Sequence, residues 1–121
     1  MAYVDGFLIP VPKRKVEAYK KMARLCAKIW IEYGALSVSE CMADDVKSGK
    51  WTSFPQAVKL KKGEVVFFSY ITYKTRKSRD QINKKVMKDP RLAGMMNPKD
   101  LPFDGKRMMW GGFKPVVQVS K

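Results

Sequence analysis

The run EVVFFSYITY, residues 64–73, constrains what this chain can fold into more than any other stretch. β-Branched and aromatic side chains fill it with no glycine or proline, so it reads as a strand. Successive strand residues point to opposite faces, which puts Val65, Phe67 and Ile71 on one side and Val66, Phe68 and Tyr70 on the other. Both sides are apolar. Such a strand has to be covered twice, once by elements of its own chain and once by something more.

The elements on either side follow from period and punctuation. Residues 2–9, AYVDGFLI, read as a first strand. Val16, Tyr19, Ala23, Cys26, Ile29, Trp30 and Tyr33 then recur at helical spacing, with Pro12 at the start and Gly34 as the C-terminal cap. Residues 35–44 read as a second strand with Leu36, Val38 and Met42 on one face. A long turn-rich connection follows, holding Trp51, Phe54 and Pro55. Connections of that length are often functional, as lids or clamps. After the strand at 64–73, Ser78 and Gln81 form a capping box for a second helix reaching about Asp89, where Pro90 stops it. PFDGKRMMWGGF, 102–113, opens with a turn and leads into a last strand over roughly 106–117.

No repeat, low-complexity tract or linker divides the 121 residues, which suffice for one domain spanning 1–121. Strand, helix, strand, strand, helix, strand is the ferredoxin-like βαββαβ order, an α+β fold with a four-stranded antiparallel sheet. Helices cover one face of such a sheet. A second copy of the chain is the economical cover for the other, so a homodimer is expected.

Charge narrows the partners. Lysine and arginine number 25 against 11 acidic residues, a net charge of +14, with no histidine. Lys13, Arg14, Lys15, Lys20, Lys21, Arg24 and Lys28 fall mostly between the apolar positions of the first helix and give it a basic outer face. That excess admits nucleic acid as a partner. KKGEVVFF at 61–68 invites comparison with RNA-recognition motifs, but the positions that need stacking aromatics hold Glu64 and Val66. Nucleic-acid binding is therefore expected to be nonspecific, through phosphates. No apolar run approaches the roughly 18 residues of a membrane span, and the N-terminal cations follow the apolar stretch instead of leading it. A cytoplasmic protein with no membrane contact is expected. Cys26 and Cys41 lack metal-ligand spacing and read as reduced, packed thiols.

Several motifs taken together carry a family resemblance. YVDGF at 3–7, PVPK at 10–13, the pair Asp44 and Asp45, SFP at 53–55, VMKDPRL at 86–92 and PFDGKRM at 102–108 resemble the YbaA-like family of small bacterial proteins over nearly the whole chain. That family has no assigned function. The resemblance implies the dimeric α/β-barrel superfamily, which includes cofactor-free quinone monooxygenases, haem-degrading monooxygenases and isomerases.

The absence of histidine removes imidazole bases, histidine metal ligands and Ser-His or Cys-His nucleophiles, and disfavours haem held by a proximal histidine. Carboxylate, tyrosine, arginine and indole chemistry remains. Asp5 sits between Tyr3 and Phe7 on one strand face, where a carboxylate must find a partner or lose its charge. It reads either as a general base toward a phenol or enol, or as a group tied to backbone amides or to Arg107. Arg107 reads either as that structural partner or as a fork for a ligand oxygen. A pocket between sheet and helices is expected to hold Asp5, Trp30, Tyr33 and Arg107, with Tyr3, Trp51, Phe54 and Trp110 as further substrate-binding aromatics. Gly111-Gly112 leaves room for a bulge or a close approach. Met95, Met96, Met108 and Met109 read as core gap-fillers, not copper ligands, since no cysteine or histidine accompanies them. Asp44 and Asp45 alone are a weak cation signal and read as a solvated strand end. No metal and no cofactor is expected. Two readings stand: a small-molecule binder or cofactor-free monooxygenase-like or isomerase-like enzyme, and a basic RNA-binding or non-catalytic interaction module.

Overall fold

The fold is that of a computed structural model, which describes residues 2–95, 97 and 99–121. The run at 64–73 forms β3, Glu64–Tyr73, with the boundaries its composition predicts. It pairs along its whole length with β1, Tyr3–Pro12, from Tyr3 opposite Tyr73 to Pro12 opposite Glu64. β2, Ser37–Met42, flanks β3, and β4, Met109–Phe113, flanks β1, so the antiparallel sheet has the order β2-β3-β1-β4. This is the ferredoxin-like arrangement, α+β, with the two longest strands at its centre.

β1 runs three residues beyond its expected end, through two prolines. β4 pairs with β1 only from Val4 to Leu8, so Pro10 and Pro12 lie where that flank of β1 is free. The Lys13 N–H turns toward β3, donating to the Gly63 carbonyl at 2.8 Å, which sets the alternate proline nitrogens on the free side. No ladder bond is lost there.

A 3₁₀ turn over Lys13–Lys15 leads into α1, Val16–Glu32, whose buried stripe is Tyr19, Ala23 and Ile29. Gly34 follows at φ +116°, a left-handed conformation that side chains resist, and its N–H donates to the Ile31 carbonyl. The long connection holds a short α2, Phe54–Ala57, capped by Ser53, whose hydroxyl accepts from the Gln56 N–H. α3 is Arg76–Met87. Its cap is Thr75, which accepts from the Ser78 N–H at 3.0 Å; the expected Ser78-Gln81 box does not form because the helix starts two residues before Ser78. Pro90 opens a further short helix, α4, Pro90–Met95, with Asp89 accepting from the Arg91 N–H at its start.

The last strand is shorter than expected. The Arg107 N–H is spent on the Asp104 carbonyl within the turn, and the chain from Lys114 onward carries no regular element. Cys41 is exposed on the helix-free face, so only Cys26 meets the expectation of packing, and that partly. Met95 packs against the core and Met108 against its second cluster, while Met109 is exposed; Met96 lies outside the described residues.

The core sits between the sheet and the helices in two clusters. One gathers Ile29, Ile71, Tyr73, Ile82, Val86 and Leu92; the other gathers Ile9, Val11, Tyr19, Ala23 and Phe67. Phe7 packs against both.

Candidate functional site

Between the two clusters, on the helix-covered face, lies a cavity of about 280 Å³. Its floor is the inward row of the central strands: Asp5, Phe7 and Ile9 from β1, and Ser69, Ile71 and Tyr73 from β3. Met22, Cys26 and Trp30 of α1 line its walls, while the exposed Met87 and Trp110 stand at the rim. The wall is largely apolar, with polar groups gathered at two places.

The first is built around Asp5, which is only 1% exposed. The Tyr73 hydroxyl donates to Asp5 Oδ2 at 2.9 Å. Arg79 of α3 brings Nη1 to 3.3 Å from Oδ1, within ion-pair reach but without hydrogen-bond alignment, so Oδ1 has no hydrogen-bond donor among the described residues. The same guanidinium lies 4.9 Å over the Tyr3 ring and donates to the Tyr3 hydroxyl at 3.3 Å. Gly112 makes this stacking possible, since a Cβ there would fall 2.8 Å from Tyr3 Cε2 and 2.9 Å from Arg79 Nη2. Beside the group, Asn83 Oδ1 accepts from the Trp30 indole N–H at 3.1 Å. Burial and the neighbouring Asp5 carboxylate push the Tyr73 phenol well above its ordinary range, so it stays a donor.

The second place is Glu40 on β2. Its Oε1 accepts from the Tyr19 hydroxyl at 2.7 Å and from the Ser69 hydroxyl. Burial, then Glu40, raise the Tyr19 phenol far above the usual value and push the Cys26 thiol up to about 11. Cys26 is thus a thiol and a weak nucleophile.

The expected site residues separate. Asp5 and Trp30 line the cavity, Tyr3 stands behind Asp5 under Arg79, and Trp110 stacks on Phe7 at the rim. Tyr33 does not line it; its hydroxyl donates to Asp89 Oδ2 at 2.8 Å. Trp51 is 86% exposed in the long connection, and Phe54 lies edge-on to Phe68 on the opposite sheet face. Arg107 does not line the cavity, and the pocket expected to join it to Asp5 does not form. It lies before β4 begins, near the far end of β1, where its fork meets Glu64 at 2.8 and 2.6 Å and its Nε meets Asp104 at 2.9 Å. Arg79 takes the place beside Asp5. The signal for it was helical spacing: Arg79, Ile82, Asn83 and Val86 fall at i, i+3, i+4 and i+7, so two polar residues share the core stripe of α3. Glu40 likewise alternates with Val38 and Met42 on the inward face of β2.

On the helix-free face, Val4, Leu8, Phe54, Phe68, Tyr70, Met109 and Phe113 line an apolar groove of about 670 Å³. Aromatics are therefore present on this face after all, though not at positions 64 and 66. Glu64 is bound to Arg107, and Val66 is buried. Asp44 and Asp45 are exposed. Among the described residues no group of three or more metal-ligating side chains gathers, and no helix is long and apolar enough to cross a membrane.

Sheet order, helix placement and a cavity between the layers define a ferredoxin-like α+β protein with a small carboxylate-bearing pocket. The chain belongs to the family described as "Protein of unknown function (DUF1428)", whose model matches residues 2–105. It is 46% identical over 117 residues to uncharacterised YbaA of Escherichia coli K12, covering 97% of this chain and 98% of that one, and equally similar to YbaA of Shigella flexneri. Among solved structures it is similar to "Putative antibiotic biosynthesis monooxygenase from Nitrosomonas europaea", with a TM-score of 0.63 at 17% identity over 98% of this chain and 94% of that one. It is also similar to a dimeric ferredoxin-like protein from an uncultured marine organism, with a TM-score of 0.54 at 13% identity over 98% and 100%. At such identities these likenesses show the fold.

Proposed function

We propose that this protein binds a small aromatic or enolic molecule in the cavity between sheet and helices, with Asp5 as proton acceptor. The observation that carries the reading is a carboxylate 1% exposed on the wall of an apolar cavity, with one oxygen free of any hydrogen-bond donor among the described residues. Buried polar atoms are ordinarily satisfied, and an O–H on a ligand would satisfy this one. A phenol or enol proton passed to Oδ1 leaves a neutral acid and a ligand oxyanion, with the Arg79 guanidinium behind Asp5, so the charge at that end is unchanged. No cofactor is required for that step. The likeness to a protein named as a monooxygenase is in keeping with it.

The test is a thermal-shift screen of phenols, quinones and enolic acids, followed by absorbance titration with 4-nitrophenol, whose colour reports loss of its proton. A ligand that binds the native state raises the melting temperature. Asp5→Asn is expected to keep binding and lose the phenolate signal. Binding by no compound in the screen would sink the proposal.

The same protein acts as a homodimer in this reading, joined through the helix-free face. Phe68 is 46% exposed there and Phe113 63%, and among the described residues Lys114 is the one charged residue lining the groove. Sedimentation at micromolar concentration is expected to show a dimer that tightens with salt, because +14 on each subunit opposes association. Phe68→Asp should give monomer.

A further inference from the structure

All 25 lysines and arginines lie outside the four strands. The charged residues of the strands are Asp5, Glu40 and Glu64, every one acidic. Glu64 is closed off by Arg107, whereas Asp5 and Glu40 both line the cavity, and among the described residues no lysine or arginine does. A molecule of net charge +14 thus surrounds a cavity whose charged lining, among the described residues, is wholly acidic.

The two carboxylates differ in setting. In the sheet register Asp5 is opposite Ile71, Ile71 is opposite Val38, and Glu40 is two residues beyond Val38. Strand spacing and rise place their Cα atoms about 12 Å apart. Asp5 is dry and has the Arg79 guanidinium beside it, so that end suits an uncharged donor and has no room for a second cation. Glu40 is exposed and is held in place through Oε1 by Tyr19 and Ser69; Lys20 and Arg24 line the groove on its outer side, but neither comes within ion-pair distance, and Glu40 has no ion-pair partner among the described residues. That end suits a cation.

We infer that, within the binding role proposed above, the cavity selects aromatics carrying an uncharged O–H or N–H donor at one end and a cationic amine at the other, and rejects aromatic carboxylates. An amine meets attraction at Glu40 where a carboxylate meets repulsion, and like-charge juxtaposition is an effective means of rejecting a ligand. The chain's overall positive charge would suggest the opposite preference.

The experiment compares tyramine, 4-ethylphenol and 3-(4-hydroxyphenyl)propionate, which share a para-hydroxyphenyl ring, by calorimetric titration at neutral pH and physiological salt. Tyramine is expected to bind about tenfold more tightly than the propionate, with 4-ethylphenol between them. Glu40→Gln, which keeps an oxygen for Tyr19 and Ser69, should erase the advantage of tyramine over 4-ethylphenol, read as the ratio of the two affinities in the same variant. Propionate binding as well as tyramine, or a tyramine advantage that survives Glu40→Gln, overturns this inference alone. Failure of all three phenols to bind overturns it together with the phenol-binding role on which it rests.

Discussion

Removing the Arg79 guanidinium leaves Asp5 as a carboxylate 1% exposed with no cation beside it among the described residues. Breaking a buried pair from one side is more costly than replacing both members, so Arg79→Leu is expected to destabilise the protein by about 3–5 kcal/mol. Adding Asp5→Asn should recover a large part of that loss, read from urea denaturation of the two single variants and the double variant. Gly112 is tied to the same pair, because a methyl group there strikes both Tyr3 and Arg79. Gly112→Ala should cost about 1–3 kcal/mol through that clash. A neutral Gly112→Ala would mean that the arginine does not lie over β4.

At the scale of elements, the start of α3 and the turn before β4 carry separable tests. Thr75 is the cap of α3, so Thr75→Ala is expected to lose about 0.5–2 kcal/mol. Ser78→Ala, which removes a hydroxyl but not the N–H that Thr75 binds, should stay within about 0.5 kcal/mol. The turn is held by Arg107 against Glu64, Asp104 and two carbonyls, those of Val58 and Lys59. Hydrogen bonds from Arg107 hold the Glu64 carboxyl below its usual 4.5. A carboxyl with a depressed folded value adds stability that is complete above its unfolded value and is lost as pH falls through the folded one. Arg107→Gln should therefore be less stable than the parent at neutral pH, and the gap should close in acid below the ordinary carboxylate range. A gap that stays constant with pH would sever Arg107 from Glu64.

The molecule as a whole separates its charge from its apolar surface. Cations lie on helices, turns and tail, while the strands contribute aromatic, aliphatic and acidic side chains. Open-face aromatics alone could stack bases, but without lysine or arginine in the strands nothing within the sheet tracks a phosphate backbone. Binding of nucleic acid is expected to fall on the helix layer. Fluorescence anisotropy should show weak affinity, alike for RNA and DNA of any sequence and largely abolished by moderate salt. Sequence-selective binding that persists at high salt would favour the sheet face and displace the cavity as the functional site.

Local pattern alone determined a good deal of this protein. The boundaries of β3 are legible in its composition, because a β-branched and aromatic run has no other comfortable conformation. The buried stripe of α1 and the role of Gly34 follow from helical period and from the freedom of glycine at positive φ. Asp5 stands out as a charge inside an apolar alternation, and it is buried on the cavity wall. Tertiary structure alone decided what Asp5 meets. Arg107 and Arg79 are both arginines of suitable reach, and the choice between them depends on where β4 begins and how α3 lies over the sheet. The turn at Asp104 spends the Arg107 N–H before the strand starts, which leaves that guanidinium beside Glu64 at the opposite end of β1. The cavity has the same origin, since it is the space left where two core clusters meet at Phe7. Period and propensity specify which face of an element is buried, but which distant side chain arrives against that face is a property of the packed whole.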